Sequence, residues 1–439
     1  MIMTKRLLSV ALTLALGASL LSGCSKGSSS SSDASSSGSA TSSDSSSAAT
    51  DVEPMDLTGV TDPYLATAGI AGDTVVGTIG DYEITADNLL YWLNYNISYT
   101  LQQYSSYGIT EIPWDSDANG VTTEQSMLYT AFQLAAYYRL LPELGSKEGL
   151  SVSQETVDGL NADQKNIEDQ LGSTELAEHY FWTQMMTPKL YQAMYQAGEV
   201  NGLLQTKYFG EGSEGYPTDA EVLAYAQDDQ GYYRAKHILL LTKDMSQQVT
   251  NADGTTGYAS LDDATIAEKK AKADALLAQL RASDDPVTLF DQLMNENSED
   301  PGLTDNPDGY TTTKGQMVAA FEEAALALKD GEISDVVESE YGYHIILRLP
   351  LDLVQFRSSL VAGKMEEKSN QWLKEYGVQT NDAYLKIDPS DFWDKAQSLQ
   401  LGAYNEVQAV MAAKNADSSA ATSGSAAASG SAGAANSQG

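Results

Sequence analysis

Between residues 52 and 415 the apolar positions follow three successive patterns. In residues 52–231 they recur mainly every three or four residues, the spacing of a helix with one buried stripe. Leu90, Leu93, Ile97, Leu101 and Tyr104 mark one such stripe, and further helical runs cover about 124–144, 154–171 and 174–186. Thr187-Pro188 predicts an N-cap with proline at the first helical position, opening a helix toward Leu204. Thr218-Asp219-Ala220-Glu221 has the capping-box form, with Glu221 placed to reach back to the Thr218 amide. Ahead of these helices, residues 74–79 and 82–84 flank Gly80-Asp81 and predict a small hairpin, after which Thr85 is placed to cap a helix.

The pattern changes in residues 232–350. Residues 234–241 and 343–349 are dense apolar runs of strand length, and 335–338 is a shorter strand. Helices are expected over 264–282 and 286–295, and a third around Met317, Phe321, Ala324 and Leu328, ended by Gly331. Residues 243–261 are polar and contain glycine, and read as a long loop. The link between the last two strands is too short for a parallel crossover. The expectation is a small antiparallel sheet packed with helices, giving an α+β chain in which this module is inserted into a mostly helical domain. Helical spacing returns over 356–376 and 392–411, so residues 351–415 are expected to pack back on residues 52–231.

Both ends carry other signals. Lys5 and Arg6 precede an apolar run over 7–20, the layout of a signal peptide over residues 1–23. The run ends in Leu21-Ser22-Gly23-Cys24, which resembles the bacterial lipobox; Cys24 is then the lipid-attachment residue and anchors the chain to a membrane. It is also the single cysteine, which excludes an internal disulfide and a multi-cysteine zinc site. Residues 24–51 are Ser-rich and predict a flexible tether, and residues 416–439 a disordered Ser/Ala/Gly tail. The net charge of −36 argues against nucleic-acid binding and against electrostatic docking on anionic lipid. The first helical zone is rich in Tyr, Trp and Met, including Trp92, Tyr138 and Trp182. Such residues suit either a core or an adaptable surface for varied clients, and the sequence leaves both open.

The chain has three histidines: His179, His237 and His344. The last two each sit inside a strand-like run, so two strands can bring them together as a pair with fixed tautomers. In order, the chain contains Ala235-Lys236-His237-Ile238-Leu239, Asn297-Ser298-Glu299-Asp300-Pro301, Gly315-Gln316-Met317-Val318-Ala319-Ala320-Phe321, Leu328-Lys329-Asp330-Gly331-Glu332-Ile333-Ser334 and Tyr341-Gly342-Tyr343-His344-Ile345-Ile346. In these pieces the segment resembles the parvulin family of peptidyl-prolyl isomerases, over about a quarter of the chain. With the lipobox, the helical flanks and Gly80-Asp81-Tyr82-Glu83-Ile84-Thr85, the layout is similar to the PrsA/SurA type of extracytoplasmic foldase.

The resemblance implies an enzyme that isomerises X–Pro bonds and binds unfolded, newly exported polypeptides outside the cytoplasm. It places His237, Asp300 and His344 in the catalytic site. It places Met317 and Phe321 in an apolar pocket for the proline ring, and Tyr341 where some members have serine. The family often has Gly-Gly-Asp-Leu-Gly before the methionine, with the leucine lining the pocket. Here the run is Asp308-Gly309-Tyr310-Thr311-Thr312, which leaves Tyr310 as the candidate third wall. That departure sustains a second reading, a catalytically silent holdase. Neither reading calls for a metal or a cofactor, and a homodimer is left open.

Overall fold

A computed structural model describes residues 52–250 and 254–428. The signal segment, Cys24 and the tether over 24–51 lie outside the described residues, as do residues 429–439 of the expected tail. No helix among the described residues is long and apolar enough to cross a membrane. The chain divides into two compact units, one formed by residues up to Ser213 and from Met365 onward, the other by Glu214–Lys364.

The first unit is mainly helical around a small sheet. Strands Val75–Ile79 and Tyr82–Thr85 form the expected hairpin, with Gly80 in the left-handed region at φ 55°. A third strand, Val378–Thr380, pairs antiparallel with the first from far along the chain. Gly77 permits this pairing, because a Cβ there would run into the Gln379 carbonyl and the Phe132 ring. The main helices are Ala86–Ser105, Thr123–Lys147, Pro188–Phe209 and Pro389–Ala428. Thr187 caps its helix as expected, accepting from the Leu190 amide. Thr85 stands at its N-cap, but its hydroxyl donates to Asp87 Oδ1 (2.5 Å) instead of accepting from the helix. The run expected to continue to residue 186 stops at Trp182, and Met185 takes φ 53° in the following turn.

Trp92, Phe132, Tyr137, Tyr138, Phe181, Trp182, Met185, Met186 and Phe392 are all buried in one core. Most of the aromatic and Met residues of the helical zone are therefore core. His179 is buried too, with Nδ1 2.7 Å from Glu406 Oε2. The last helix continues to Ala428, into the segment expected to lack structure, which is rich in alanine, the best helix former.

The second unit is a four-stranded antiparallel sheet in the order Tyr310–Thr313, Tyr232–Leu241, Gly342–Leu349, Val337–Glu338. Alternation along the two central strands gives the sheet two different faces. Ile238, Leu240, Tyr343, Ile345 and Leu347 pack under helices Asp263–Ala282 and Pro286–Asn297. On the other face Tyr233, Ala235 and Ile346 pack with Phe321 and Ala325 of the helix Ala319–Ala327. The unit extends past 232–350 at both ends, since Val222, Ala226, Leu351 and Phe356 share a buried cluster. The capping box at Thr218 and Glu221 opens the short helix Asp219–Ala224, as expected. Residues 243–261, expected as a loop, form an antiparallel hairpin of Lys243–Thr250 with Thr256–Ser260. The strand Tyr310–Thr313 was not anticipated either, and Met317 precedes its helix instead of starting it.

Candidate active site

The sheet register sets the histidine geometry. His237 lies opposite Ile346 and His344 opposite Leu239, so the two histidines are diagonal neighbours on one face. Their Nδ1 atoms are 3.1 Å apart and the rings sit 5.1 Å apart. Asp300 arrives from the loop after the helix Pro286–Asn297. That loop is stitched to the strand of His237: the Glu299 amide donates to the Leu239 carbonyl, and the Leu239 amide to Ser298 Oγ. The Leu241 amide donates to Glu299 Oε2. Asp300 Oδ2 thereby comes within 3.0 Å of His237 Nε2, with both side chains nearly buried, 11% and 12% exposed.

Tyr310 and Ser339 complete the chain of contacts. The Tyr310 hydroxyl donates to Asp300 Oδ2 at 2.6 Å, and the Gly302 amide donates to Oδ1 at 3.1 Å. At the other end, Ser339 Oγ lies 2.6 Å from His344 Nε2 and accepts from the Tyr341 amide. Burial pushes the Asp300 carboxyl upward, but the bonds from His237 and Tyr310 outweigh it and hold its pKa at about 2. Burial, then the neighbouring His237, depress His344 to about 3. Burial and the bond to Asp300 push Tyr310 well up, so it remains a donor.

These shifts fix the proton positions when both rings are neutral. An ionised Asp300 only accepts, so His237 Nε2 carries a hydrogen. His237 Nδ1 is then the acceptor, His344 Nδ1–H the donor, and His344 Nε2 accepts from the Ser339 hydroxyl. Every hydrogen bond in the row from Ser339 to Asp300 points toward the carboxylate.

The apolar side of the site is Phe321, 2% exposed, with its ring 5.2 Å from His237 and 5.8 Å from His344. Met317, partly buried, borders the same cluster. Tyr341 joins through its backbone, its carbonyl accepting from the Thr242 amide at 2.9 Å. Gly309 takes φ +93°, and a side chain there would strike the Ala235 carbonyl, Leu349 and Lys236. Tyr310, expected as the third wall of the pocket, donates its hydroxyl to Asp300, with its ring 5.9 Å from His237. Sequence reasoning missed Ser339; its only signal was a hydroxyl residue shortly before the His344 strand. Among the described residues no group of three or more His, Cys, Asp or Glu side chains converges as a metal site would.

The low pKa values predict acid sensitivity. His344 titrates near 3 when folded, below its usual 6.5. Between these values the unfolded chain holds a proton that the folded one excludes, so stability falls with falling pH. The loss is up to about 1.4 kcal/mol per pH unit for one group, or about 2 kcal/mol between pH 7 and 5. Asp300 adds a loss of the same sign only as pH falls below its unfolded 3.8 toward 2. All five tryptophans lie in the other unit, so amide exchange at Ile345 and Ile346 is the suitable readout. Protection there should drop between pH 7 and 5 once intrinsic exchange is corrected, and His344→Gln should flatten the drop. Equal protection at both pH values would contradict the burial of a neutral His344.

Residues 237–349 match the PPIC-type PPIase (rotamase) domain family. Foldase protein PrsA of Staphylococcus aureus (strain bovine RF122 / ET3-1) is 31% identical over 183 residues, covering 38% of this chain and 52% of the relative. Foldase protein PrsA of Geobacillus kaustophilus (strain HTA426) is likewise 31% identical over 183 residues, covering 38% and 54%. The chain thus spans about half the length of the curated relatives it matches. Among solved structures, PrsA from Bacillus subtilis is 23% identical with a TM-score of 0.19, over 61% of this chain and 90% of that one. NmPin, the parvulin of Nitrosopumilus maritimus, is 27% identical with a TM-score of 0.19, over 27% and 97%.

Proposed function

We propose that this chain, whose residues 237–349 form a PPIC-type parvulin domain, isomerises X–Pro bonds in unfolded polypeptides. One observation carries the reading: a nearly buried carboxylate, bonded to the first of two paired histidines on adjacent strands, beside the apolar cluster of Phe321.

The chemistry asked of such a site is modest. Rotation about the peptide bond is opposed by about 18–20 kcal/mol of amide resonance. Resonance places partial negative charge on the carbonyl oxygen, and twisting the bond removes it. A fixed anion near that oxygen therefore raises the energy of the planar amide more than that of the twisted one. Asp300 supplies the anion, and His237 and His344 hold it in place. Phe321 and Met317 grip the proline ring while the preceding carbonyl turns, with Tyr341 at the rim. The reaction needs no covalent intermediate and no net proton transfer.

The test is isomerisation of X–Pro peptides by the full chain, with varied residues before proline. Acceleration over the uncatalysed exchange, which takes tens to hundreds of seconds, is the expected result. No acceleration by a folded protein would turn the assignment to a holdase, a reading that the absence of the Gly-Gly-Asp-Leu-Gly run sustains.

The N-terminal pattern supports export and a lipid anchor at Cys24, which place the activity outside the cytoplasm on newly exported chains. Cys24→Ser should move the expressed protein from the membrane fraction to the soluble one. Retention in the membrane fraction would sink the anchor.

A further inference from the structure

We propose that Tyr310 is a positioning residue of this site: its hydroxyl, sharing one oxygen with His237 Nε2, locks Asp300 as a fixed carboxylate facing the histidine pair. The activity side of this inference rests on the isomerase reading; the geometric side does not.

Tyr310 opens the edge strand of the sheet opposite Ala235, two residues from His237 along the neighbouring strand. Its hydroxyl and His237 Nε2 converge on Asp300 Oδ2 at 2.6 and 3.0 Å, and the Gly302 amide takes Oδ1 at 3.1 Å. With three donors on two oxygens, the carboxylate is held against rotation about its side-chain bond. It serves as a placed charge and not as a base that turns to meet a proton.

Two glycines make room for this arrangement. A methyl group on Gly302 would lie 2.3 Å from the Tyr310 hydroxyl oxygen, so the tyrosine would have to move to admit it. Gly309 bends the chain just before Tyr310, where a side chain would collide with Ala235, Lys236 and Leu349. The segment that departs from the family pattern thus brings a hydrogen-bond donor to Asp300.

The groups acting on the carboxylate are few. His237, Tyr310 and the Gly302 amide touch it, His344 lies behind His237, and Asp305 and Asn306 act on the Tyr310 hydroxyl from the intervening loop. Burial pushes the carboxyl up and the donors pull it down to about 2. Burial also keeps Tyr310 protonated, so it stays a donor across the range in which a foldase would work.

The deciding variant is Tyr310→Phe in the full chain, which keeps the ring and removes one donor. Carbon NMR of the Asp300 carboxyl should show its titration moved upward by about one pH unit. In wild type the signal should stay flat down to about pH 3, whereas in the variant it should bend above that value. In the isomerase assay at neutral pH, kcat should fall by about 3- to 10-fold with KM held, because orientation and not binding is lost. Gly302→Ala, which retains the tyrosine but displaces its hydroxyl, should shift the carboxyl in the same direction. An unmoved Asp300 titration in a folded Tyr310→Phe protein overturns the proposal. If that variant does not fold, Gly302→Ala decides by the same signal. The titration needs no turnover, so a wild-type protein without isomerase activity would refute the function and leave this inference to stand or fall on the carboxyl alone.

Discussion

Asp300→Ala is expected to lower kcat/KM on X–Pro peptides by about 100-fold, the scale on which a preorganised charge in a buried site acts. The loss should fall on kcat, since the charge separates planar from twisted amide and contributes little to holding the peptide. Asp300→Asn sharpens the test. The amide keeps the shape and can still accept from Tyr310, but it lacks the charge. If charge is the agent, Asn should be about as poor as Ala; if the residue only braces His237, Asn should retain most activity. A folded Asp300→Ala protein with wild-type kcat/KM would remove the carboxylate from the mechanism altogether.

Phe321→Ala should destabilise the sheet-bearing unit by about 3–5 kcal/mol, the usual result of emptying a buried aromatic site. Phe321 is 2% exposed and packs with Tyr233, Ala235, Ala325 and Ile346, so little can collapse into the space it leaves. Such a loss is a large share of the roughly 5–15 kcal/mol that holds a domain together. Amide exchange in the strand Gly342–Leu349 should accelerate accordingly, while the helical unit, a separate compact body, keeps its protection. Phe321→Leu, which refills most of the volume, separates stability from the pocket. It should cost less than about 1.5 kcal/mol yet still weaken proline-ring binding. A change below 1 kcal/mol for the alanine variant would mean that Phe321 is not a structural part of that face.

Much of this architecture could be read before any coordinates. Helical spacing located Gln154–Leu171 to the residue, and the Thr218 and Thr187 caps behave as their side chains dictate. The strands of His237 and His344 were legible because both faces of that part of the sheet are covered, leaving nearly continuous apolar runs. The failures have a common cause. The hairpin Lys243–Thr250 with Thr256–Ser260 buries neither face, so no alternation marks it. Tyr310–Thr313 is an edge strand made largely of threonine, and Val378–Thr380 is too short to show a period. At the site, strand-like runs marked His237 and His344 and the family resemblance marked Asp300, and the three side chains meet in one row. Ser339 and the hydroxyl role of Tyr310 depend on which atoms meet across the register, and spacing along the chain does not encode that.

The strand Val378–Thr380, paired with Val75–Ile79, has a consequence for the order of assembly. The helical unit draws its parts from both sides of Glu214–Lys364, so its sheet cannot close until the chain beyond residue 380 is available. The sheet-bearing unit is a single continuous stretch and needs nothing downstream of itself. In a polypeptide that emerges N-terminus first, through a ribosome or a translocation channel, that stretch can become native while the helices preceding it still wait for their partners. Truncation after Lys364 should therefore leave a protected sheet beside an incompletely protected N-terminal half.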